Sequence, residues 1–436
     1  MHRCLATACL FAILTAIAAP AAAAPDAVYL TWQGDPTTTM TVQWLGPGHE
    51  KDDRVHFIRI HEEARPDLQP VWKTVDGSHH PMPHDSRLIH VVELTGLTPD
   101  TTYAFRVGES DEVYRFRTLP AKMTRPVRFA VASDMYKRDE DLAYMHDLVA
   151  QREPDFMILA GDIADDNGRP DNVDRWVRFL SLGTDHLAGK GRRLIPYIPV
   201  IGNHETPDGG FNQSPDDPPF FFALFAYPGK PGYNVLDFGD YLSIVTLDSQ
   251  HVNPVEGAQS EWLDKTLAAR QDRRHLVAVY HVPAYPSSRN PINLQSRRVR
   301  HTFTPLFDKY GVDFCYSGHD QSYKRTWPIK DGKVDPLGTI YLGDGGYAIG
   351  ETRTPKAPGN WWTGGRWYLA RSASANHFQL CTLDGPIRRF QAIDASNTVI
   401  DEYAMNANFP APMVMDVRPT SWVMEWWWVP LAIVGV

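Results

Sequence analysis

The sequence predicts two domains, an N-terminal all-β sandwich followed by an α/β domain. Between residues 26 and 120, short segments alternate apolar and polar positions and are separated by turn residues, which is typical of a β-sandwich. From residue 126 onward, apolar strand-like runs alternate with segments in which apolar residues recur at helical spacing, which is typical of an α/β layer architecture. A chain of 436 residues is also long enough to form two hydrophobic cores.

Six runs in the N-terminal segment have the alternation of half-buried strands, namely 28–32, 40–44, 55–60, 89–94, 102–107 and 113–117. The segment from Leu94 to Tyr103 resembles the E–F corner of a fibronectin type III module, in which a tyrosine hydroxyl bonds to a backbone group upstream. We therefore expect residues 26–120 to form a fibronectin type III-like sandwich. Residues 119–126 contain two prolines and are predicted to be a short linker.

Beyond the linker, five apolar runs are predicted to be buried strands: 127–132, 156–159, 197–201, 276–280 and 314–316. Helical spacing of apolar residues appears in 142–149, in 262–267 and in 299–310. The segment 208–219 is rich in Pro, Gly and Asp, and we expect it to be a surface loop beside the ends of the strands.

The two ends of the chain differ from the domains. Residues 1–24 combine Arg3, an apolar run from Leu10 to Ile17 and a row of alanines, which is the pattern of a secretory signal peptide. We therefore expect a secreted or periplasmic protein. Residues 401–436 are predicted to be a tail whose Trp-rich apolar run is too short to span a membrane. A packed or frayed tail is favoured over contact with a membrane surface.

Charge and cysteine content limit the classes of function. A formal net charge of −9 with no basic stripe argues against a nucleic-acid-binding surface. Once the signal peptide is removed, Cys315 and Cys381 are the cysteines that remain, and both a disulfide and two buried free thiols are open. Metal ligands must therefore come from His, Asp and Asn. The sequence does not indicate an oligomeric state.

Short polar blocks follow the predicted strands. They are Ser133-Asp134, Gly161-Asp162, Gly202-Asn203-His204-Glu205, His281, Gly318-His319 and Gly343-Asp344-Gly345-Gly346. Strands of one sheet that end together deliver the next residues to one crevice, so we expect these side chains to meet. The resulting set of carboxylate, amide and imidazole ligands suits a transition metal.

These blocks, in this order, resemble the calcineurin-like metallophosphoesterases. The sandwich ahead of them, together with the segments Tyr280–Tyr285, Gly318–Arg325 and Tyr341–Gly346, makes the chain similar to the purple acid phosphatases in particular. The resemblance covers roughly residues 26–400 and implies a four-layer α/β/β/α sandwich for residues 126–400. It also implies an acid phosphatase-like hydrolase with two metal ions, of which Fe, Mn and Zn are the candidates.

The resemblance assigns roles to individual residues. It implies that Asp162 bridges the two metals and that Asn203, His281 and His319 hold the second metal. Asp134 would hold the first metal, and His204 would face the substrate and either bind its oxygens or protonate the leaving group. Glu205 is open to two interpretations, as a residue that orients the His204 ring or as a member of a loop salt bridge.

Three positions depart from the family's pattern around the first metal. Asp165 stands where the family has a tyrosine, Gln321 where it has a histidine, and Tyr136 where relatives have a small or polar residue. An oxygen-rich shell that includes Asp165 and Gln321 would suit Mn²⁺, Mg²⁺ or Fe³⁺ more than Zn²⁺. Two other outcomes stay open: Tyr136 replaces the missing tyrosine, or the first site is weak.

The function that the resemblance implies is an exported, metal-dependent phosphoesterase that hydrolyses small phosphate monoesters through a metal-bound hydroxide. One alternative is a phosphodiesterase of the same fold. A second alternative is a catalytically weak or silent binding protein with one metal site, for which the altered first site would be the signature.

Overall fold

The computed structural model describes residues 24–60, 71–343, 345–359, 364–407 and 409–413. The predicted signal peptide, Asp344 and residues 414–436 of the predicted tail therefore lie outside the described residues, except that Ala24 is included. Within the described ranges, none of the helices combines the length and the hydropathy that crossing a membrane requires.

Eight strands build the N-terminal part of the chain: β1 (Ala27–Thr31), β2 (Met40–Gly46), β3 (Arg54–Arg59), β4 (Lys73–Asp76), β5 (Ser78–Pro81), β6 (Leu88–Leu94), β7 (Thr102–Val107) and β8 (Tyr114–Arg117). They form two sheets, one in the order β1-β2-β6-β5 and one that contains β8-β7-β3-β4. The Tyr103 hydroxyl accepts a hydrogen bond from the backbone N–H of Thr98 at 2.9 Å, which is the corner contact expected of a fibronectin type III-like module.

The rest of the chain contains six helices and eighteen strands within the described residues. The helices are α1 (Asp139–Ala150), α2 (Val173–His186), α3 (Phe221–Leu224), α4 (Ala258–Ala268), α5 (Leu294–Thr302) and α6 (Thr304–Tyr310). The strands are β9 (Val127–Ala132), β10 (Phe156–Ala160), β11 (Ala188–Gly189), β12 (Arg193–Leu194), β13 (Tyr197–Val200), β14 (Asn234–Phe238), β15 (Leu242–Thr246), β16 (His275–Val279), β17 (Phe314–Tyr316), β18 (Tyr323–Thr326), β19 (Ile329–Lys330), β20 (Lys333–Val334), β21 (Ile340–Gly343), β22 (Leu369–Ala373), β23 (His377–Asp384), β24 (Ile387–Asp394), β25 (Val399–Asn406) and β26 (Phe409–Met413).

Two seven-stranded sheets form the centre of the α/β domain, in the orders β13-β10-β9-β23-β24-β25-β26 and β14-β15-β16-β17-β21-β18-β22. Their strands place alternate residues on opposite faces. Phe129 and Ile158 of one sheet share a core with Val277 and Tyr316 of the other. The opposite faces pack against α1 and α2 on one side and against α4, α5 and α6 on the other. The four-layer α/β/β/α architecture is confirmed.

The expectation that the polar blocks follow strands of one sheet is wrong. Strands β9, β10 and β13 are parallel neighbours in the first sheet, whereas β15, β16, β17 and β21 are parallel neighbours in the second. Both faces of both sheets are covered, so all five runs have the same apolar character. The sequence therefore offers no sign of which sheet each strand joins.

The β-sandwich contacts the α/β domain through its first sheet. In addition, β12 of the α/β domain pairs with β8 of the sandwich. Thr184 of α2 accepts a hydrogen bond from the Val28 backbone N–H at 2.9 Å and donates one to the Val28 carbonyl at 3.0 Å. The ring of Trp32 lies edge-on against Phe156 and Phe238, with centroids about 6 Å apart. The two cores are therefore continuous.

Two local features differ from the sequence-based expectations, and a third decides between alternatives that the sequence left open. Strand β25 runs through residue 400, so the sheet continues into the segment that we predicted to be a tail. The helical segment 299–310 is divided at Phe303 into α5 and α6, with Pro305 in the first turn of α6. Cys315 and Cys381 are buried free thiols on strands of different sheets, which settles the question that the sequence left open.

Candidate metal centre

The predicted metal ligands lie at or just beyond the carboxyl ends of five strands. Asp134 follows β9 and Asp162 follows β10, both in the first sheet. Asn203 follows β13 in the same sheet and opens a short 3₁₀ turn that also contains His204 and Glu205. His281 follows β16 and His319 follows β17, both in the second sheet. The crevice therefore lies where the ends of the two sheets face each other.

Four of these side chains converge. His281 Nε2 lies 3.0 Å from an oxygen of Asp162 and 3.3 Å from the amide oxygen of Asn203. His319 Nδ1 lies 2.9 Å from the same amide oxygen. One ligand atom from each of Asp162, His281 and His319 lies within 4.8 Å of the other two. These four residues are the set assigned by resemblance to the second metal and its bridge.

Asp134 adjoins this cluster from the neighbouring strand. Its backbone N–H donates to the Gly161 carbonyl at 3.1 Å, which ties the two loops together. One carboxylate oxygen accepts hydrogen bonds from Ser133 Oγ and from the His319 backbone N–H, each at 2.8 Å. The other oxygen is buried and has no hydrogen-bond partner among the described residues. An unpartnered buried carboxylate oxygen is an appropriate ligand for a cation.

The backbone around the cluster is held in a conformation that few residues adopt. Asp134, Asp162 and His319 all have positive φ angles, of 52°, 53° and 73°. Strain of this kind costs about 1–3 kcal/mol per residue and is concentrated at functional sites. Gly161 has φ +87°, and a Cβ there would lie 2.5 Å from His281 Nδ1. Gly345 has φ +91°, and a Cβ there would lie 2.0 Å from Asp134 Oδ2.

The donor set fits transition metals. His281 Nδ1 donates to the Ala160 carbonyl at 2.9 Å, so Nε2, the nitrogen that faces Asp162 and Asn203, is the one that would bind a metal. Burial lowers the pKa of His281, but Asp162 raises it to about 9, so a metal would displace the proton from Nε2. Burial and the neighbouring His281 lower the pKa of His319 well below its usual value, so that ring is neutral and can also act as a ligand.

The electrostatics of the Asp134 and Asp162 carboxylates also favour a bound cation. Burial raises the pKa of Asp134, and the negative charge of Asp162 raises it further. Burial alone would raise the pKa of Asp162, but His281 and His204 hold it well below its usual range. Two ionised carboxylates buried side by side repel each other, and a bound cation removes that cost.

The predicted role of Glu205 in orienting the His204 ring is wrong, and so is the alternative of a loop salt bridge. One oxygen of Glu205 accepts from the backbone N–H groups of Gly202 and Asp162 at 2.7 and 2.9 Å. The other oxygen accepts from the Ile163 N–H at 2.7 Å. Glu205 therefore joins the loop that carries Asp162 to the loop that carries Asn203.

The His204 ring is held by other residues. Its Nδ1 lies 2.6 Å from Asn167 Oδ1 and 3.2 Å from Asp165 Oδ1. Its Nε2 lies 3.8 Å from Asp162 Oδ2, and the side chain is 31% exposed. An Nδ1–H donated to Asn167 leaves Nε2 as the nitrogen that faces the crevice.

Of the three positions that depart from the family's pattern, Asp165 and Tyr136 have side chains that bind other residues, and the cited contact of Gln321 uses its main-chain carbonyl. Asp165 forms ion pairs with Lys137 and Arg175 in addition to its contact with His204. The Tyr136 hydroxyl donates to Asp139, and burial raises the pKa of that tyrosine. Gln321 accepts a backbone hydrogen bond from Arg353 at 2.8 Å. Among the described contacts, none of these three side chains shares a hydrogen bond or ion pair with Asp134 or Asp162.

The sequence did not identify Asn167 and Arg289 as residues of the site. Asn167 belongs to a turn shortly after Asp162. The polar residues of that turn were the one feature of the sequence that could have marked Asn167 as part of the site. Arg289 Nε donates to the His319 carbonyl at 3.3 Å and lies 3.5 Å from Asp320. Burial and Arg353 lower the pKa of Arg289, while Asp134 and Asp162 act in the opposite direction, so Arg289 lies within electrostatic reach of the cluster.

Asp320 and the loop after β16 explain how Arg289 is positioned. Asp320 is fully buried. Its carboxylate accepts hydrogen bonds from the backbone N–H groups of Ser288 and Arg289 at 2.7 and 3.2 Å. The residue next to the ligand His319 therefore fixes the loop that brings Arg289 to the crevice.

Comparison with known proteins agrees with this architecture. A family model described as the purple acid phosphatase N-terminal domain matches residues 25–118, and the calcineurin-like phosphoesterase model matches residues 127–323. Purple acid phosphatase 15 of Arabidopsis thaliana is 26% identical over 306 residues, which cover 60% of this chain and 54% of the relative. Purple acid phosphatase 21 of the same plant is 28% identical over 284 residues, which cover 63% of this chain and 62% of the relative. The matches thus span between half and two thirds of these relatives.

Solved structures show the same fold. A purple acid phosphatase, PPD1, from yellow lupin (Lupinus luteus) seeds has a TM-score of 0.68 at 18% identity, with 91% of this chain and 77% of that chain covered. The structure of PhoD has a TM-score of 0.63 at 13% identity, with 88% and 90% covered. With both family models matched in order, the chain belongs to the calcineurin-like phosphoesterases, in the purple acid phosphatase family that carries a β-rich domain ahead of the catalytic one.

Proposed function

We propose that this protein is an exported metallophosphoesterase that hydrolyses phosphate monoesters at a two-metal site. The observation that carries the proposal is the convergence of Asp162, Asn203, His281 and His319 at one point, with the unpartnered oxygen of Asp134 beside it. The pattern of residues 1–24 supports export.

The ligands divide into two groups around Asp162. Asn203, His281 and His319 would hold one cation together with an oxygen of Asp162, and Asp134 would hold the other. Cations bound there would act as Lewis acids on the phosphate and would acidify a water molecule. Asp165, Gln321 and Tyr136 remain candidate ligands of the first cation, and Fe, Mn and Zn remain the candidate metals.

Two side chains can act on the substrate itself. His204 presents Nε2 to the crevice with its ring held by Asn167, so it can bind a phosphate oxygen or deliver a proton to the leaving group. Arg289 adds a fixed positive charge at the same crevice, held by Asp320 and the His319 carbonyl. A monoester carries more negative charge than a diester at neutral pH, so this cation favours the monoester.

The test is hydrolysis of p-nitrophenyl phosphate by the full mature chain loaded with Mn²⁺, or with Fe and Zn. Asp162→Ala and Asn203→Ala should reduce turnover at least a thousandfold, since both remove ligands of the cluster. Asp208→Asn is the matched control, because Asp208 lies on the neighbouring loop but its side chain is 79% exposed and pairs with Arg169. Wild-type turnover in both ligand variants would refute the mechanism.

The same assay separates the alternatives. A higher rate on bis-p-nitrophenyl phosphate than on the monoester would assign a phosphodiesterase. A protein that binds one cation at this cluster and hydrolyses neither ester would be a binding protein, and the proposed activity would then be wrong.

A further inference from the structure

A second cluster of metal-type ligands lies in the β-sandwich, in a part of the fold that the metal centre does not use. It consists of Asp53, His79 and His90, whose ligand atoms all lie within 4.8 Å of one another. His79 of β5 and His90 of β6 are directly opposite each other in the strand pair. Asp53 comes from the other sheet of the sandwich, immediately before β3.

Both imidazoles present the same nitrogen to the same carboxylate. His90 Nδ1 lies 2.7 Å from Asp53 Oδ1, and His79 Nδ1 lies 2.9 Å from each oxygen of Asp53. Ligand atoms that share one tetrahedral Zn²⁺ at about 2.0–2.2 Å lie roughly 3.3–3.6 Å apart, so the three side chains, now at hydrogen-bonding distance, would separate by about half an ångström to admit the ion. Two imidazoles and a carboxylate are also the donor types that Zn²⁺ takes in proteins.

Hydrogen bonding alone does not satisfy this cluster. His90 is fully buried, and its Nε2 has no hydrogen-bond partner among the described residues. A neutral imidazole carries one proton, on either Nδ1 or Nε2. If that proton is on Nδ1 and is donated to Asp53, the lone pair of Nε2 is left buried without a donor.

A metal on Nδ1 reverses this arrangement. The proton would then be on Nε2. A Cβ at Gly46 would lie 3.0 Å from His90 Nε2 and 3.2 Å from an oxygen of Glu50, so those two atoms are at most about 6 Å apart, and they share no hydrogen bond in this structure. A ligand histidine that donates its other N–H to a carboxylate is the usual arrangement around a bound metal. With a cation on Nδ1, a turn of the Glu50 side chain towards Nε2 would give that nitrogen an acceptor.

The approach to the cluster is also suitable for a cation. Asp53 lines an open cavity of about 470 Å³ together with Asp52, Asp76 and Glu109, while Lys51 and Arg54 line the same cavity. Arg54 is paired with Asp52 through two hydrogen bonds of 2.7 and 2.6 Å, which leaves an excess of carboxylates. A cavity of this charge raises the local concentration of cations.

We propose that Asp53, His79 and His90 form a zinc site that joins the two sheets of the β-sandwich, separate from the phosphoesterase centre. A bound Zn²⁺ would link the loop before β3 to the β5–β6 pair, two parts of the domain that meet across the sandwich. Its role is structural, because it adds binding free energy to the folded state.

The test is a zinc titration of the chelator-stripped full chain against a chromophoric competitor, with thermal unfolding as a second readout. We expect His79→Ala to bind one Zn²⁺ fewer than the wild type and to lose part of the zinc-dependent rise in melting temperature. His80→Ala is the matched control, since the neighbouring residue on β5 contacts only the Pro81 carbonyl among the described hydrogen bonds. His80→Ala should bind the wild-type number of ions.

Two further arms keep the result decisive. Asp53→Asn preserves the size of the side chain and an acceptor oxygen, so it replaces His79→Ala if that variant does not fold. Asn203→Ala weakens the phosphoesterase cluster, so the zinc that this variant retains should be bound in the β-sandwich. Adding His79→Ala to Asn203→Ala should remove that remaining zinc. Equal zinc stoichiometry in the wild type, His79→Ala and Asp53→Asn would overturn the proposal and would leave the phosphoesterase proposal unaffected.

Discussion

Glu205 is the side chain whose replacement tests most directly how the metal centre is assembled. It is buried, and it accepts three backbone hydrogen bonds from two loops, those of Gly202, Asp162 and Ile163. Burial and the charge of Asp162 raise the pKa of Glu205. We nevertheless expect Glu205 to be ionised, because both of its carboxylate oxygens accept hydrogen bonds from N–H groups. A proton on either oxygen would face one of these N–H donors.

The expected cost follows from counting these hydrogen bonds. In Glu205→Gln, an amide group that turns its NH₂ towards Ile163 keeps the bonds from Gly202 and Asp162 and loses one. A buried donor left without a partner costs about 1–3 kcal/mol, so the free energy of unfolding should fall by that amount. Glu205→Ala leaves three donors without the carboxylate, and the loss should be at least about 3 kcal/mol.

Metal affinity should fall as well. Glu205 holds the backbone on both sides of the cluster, so its loss should allow Asp162 and Asn203 to separate. Removal of such a supporting contact weakens metal binding by about 10–100-fold. Urea unfolding measures the stability of each variant, and competition with a chromophoric chelator measures its affinity for Zn²⁺.

The control is Glu261→Gln on the exposed side of α4, which should change stability by less than about 0.5 kcal/mol. A Glu205→Ala variant with the stability and zinc affinity of the wild type would refute the reasoning. It would mean that the geometry of Asp162 and Asn203 is set by the strands alone.

Two further predictions concern a buried histidine and the substrate. Burial lowers the pKa of His146 to about 3, so stability is fully present above about pH 6.5 and is lost as the pH falls and the unfolded chain takes up a proton. That loss is about 2 kcal/mol at pH 5. Between pH 7.5 and pH 5.0, urea titrations should show that the free energy of unfolding of the wild type falls by about 2 kcal/mol more than that of His146→Gln. Equal losses in the two proteins would contradict the lowered pKa. Arg289→Met should raise KM for p-nitrophenyl phosphate about 10–100-fold through the loss of a charge-assisted contact, with Arg298→Met, 39% exposed, as the unaffected control. An unchanged KM in Arg289→Met would place that side chain outside the substrate site.

Much of the secondary structure could be predicted because it depends on local patterns. The six runs predicted in the sandwich correspond to β1, β2, β3, β6, β7 and β8. Along β3, β6, β7 and β8 the alternation follows from one buried and one more exposed face, which a sequence records directly, whereas β1 and β2 are buried throughout. The corner contact of Tyr103 was predictable for the same reason, since its partner Thr98 is only five positions away.

The candidate metal centre was predictable only in part. The residues at strand ends were recognisable because each follows a long apolar run and several follow a glycine. The contacts of Glu205 and of Asn167 could not be predicted. They join loops that are distant in the chain, and the sequence does not show in which direction the turns of those loops run. Asp165 was assigned by its place in a motif, and its ion pairs with Lys137 and Arg175 depend on how α2 packs.

The sequence by itself determined eleven of the twenty-six described strands, most of the helices, the order of the two domains and the residues that stand at the strand ends, because these depend on hydrophobic periodicity and short motifs. The tertiary structure alone decided which of the two facing sheets each strand joins, that one sheet continues past residue 400, and that Glu205 and Arg289 lie beside the crevice. The physical reason is that strand pairing and side-chain packing join segments that are far apart in the chain. At such buried contacts many apolar sequences are interchangeable, so only the folded geometry shows which segments are partners.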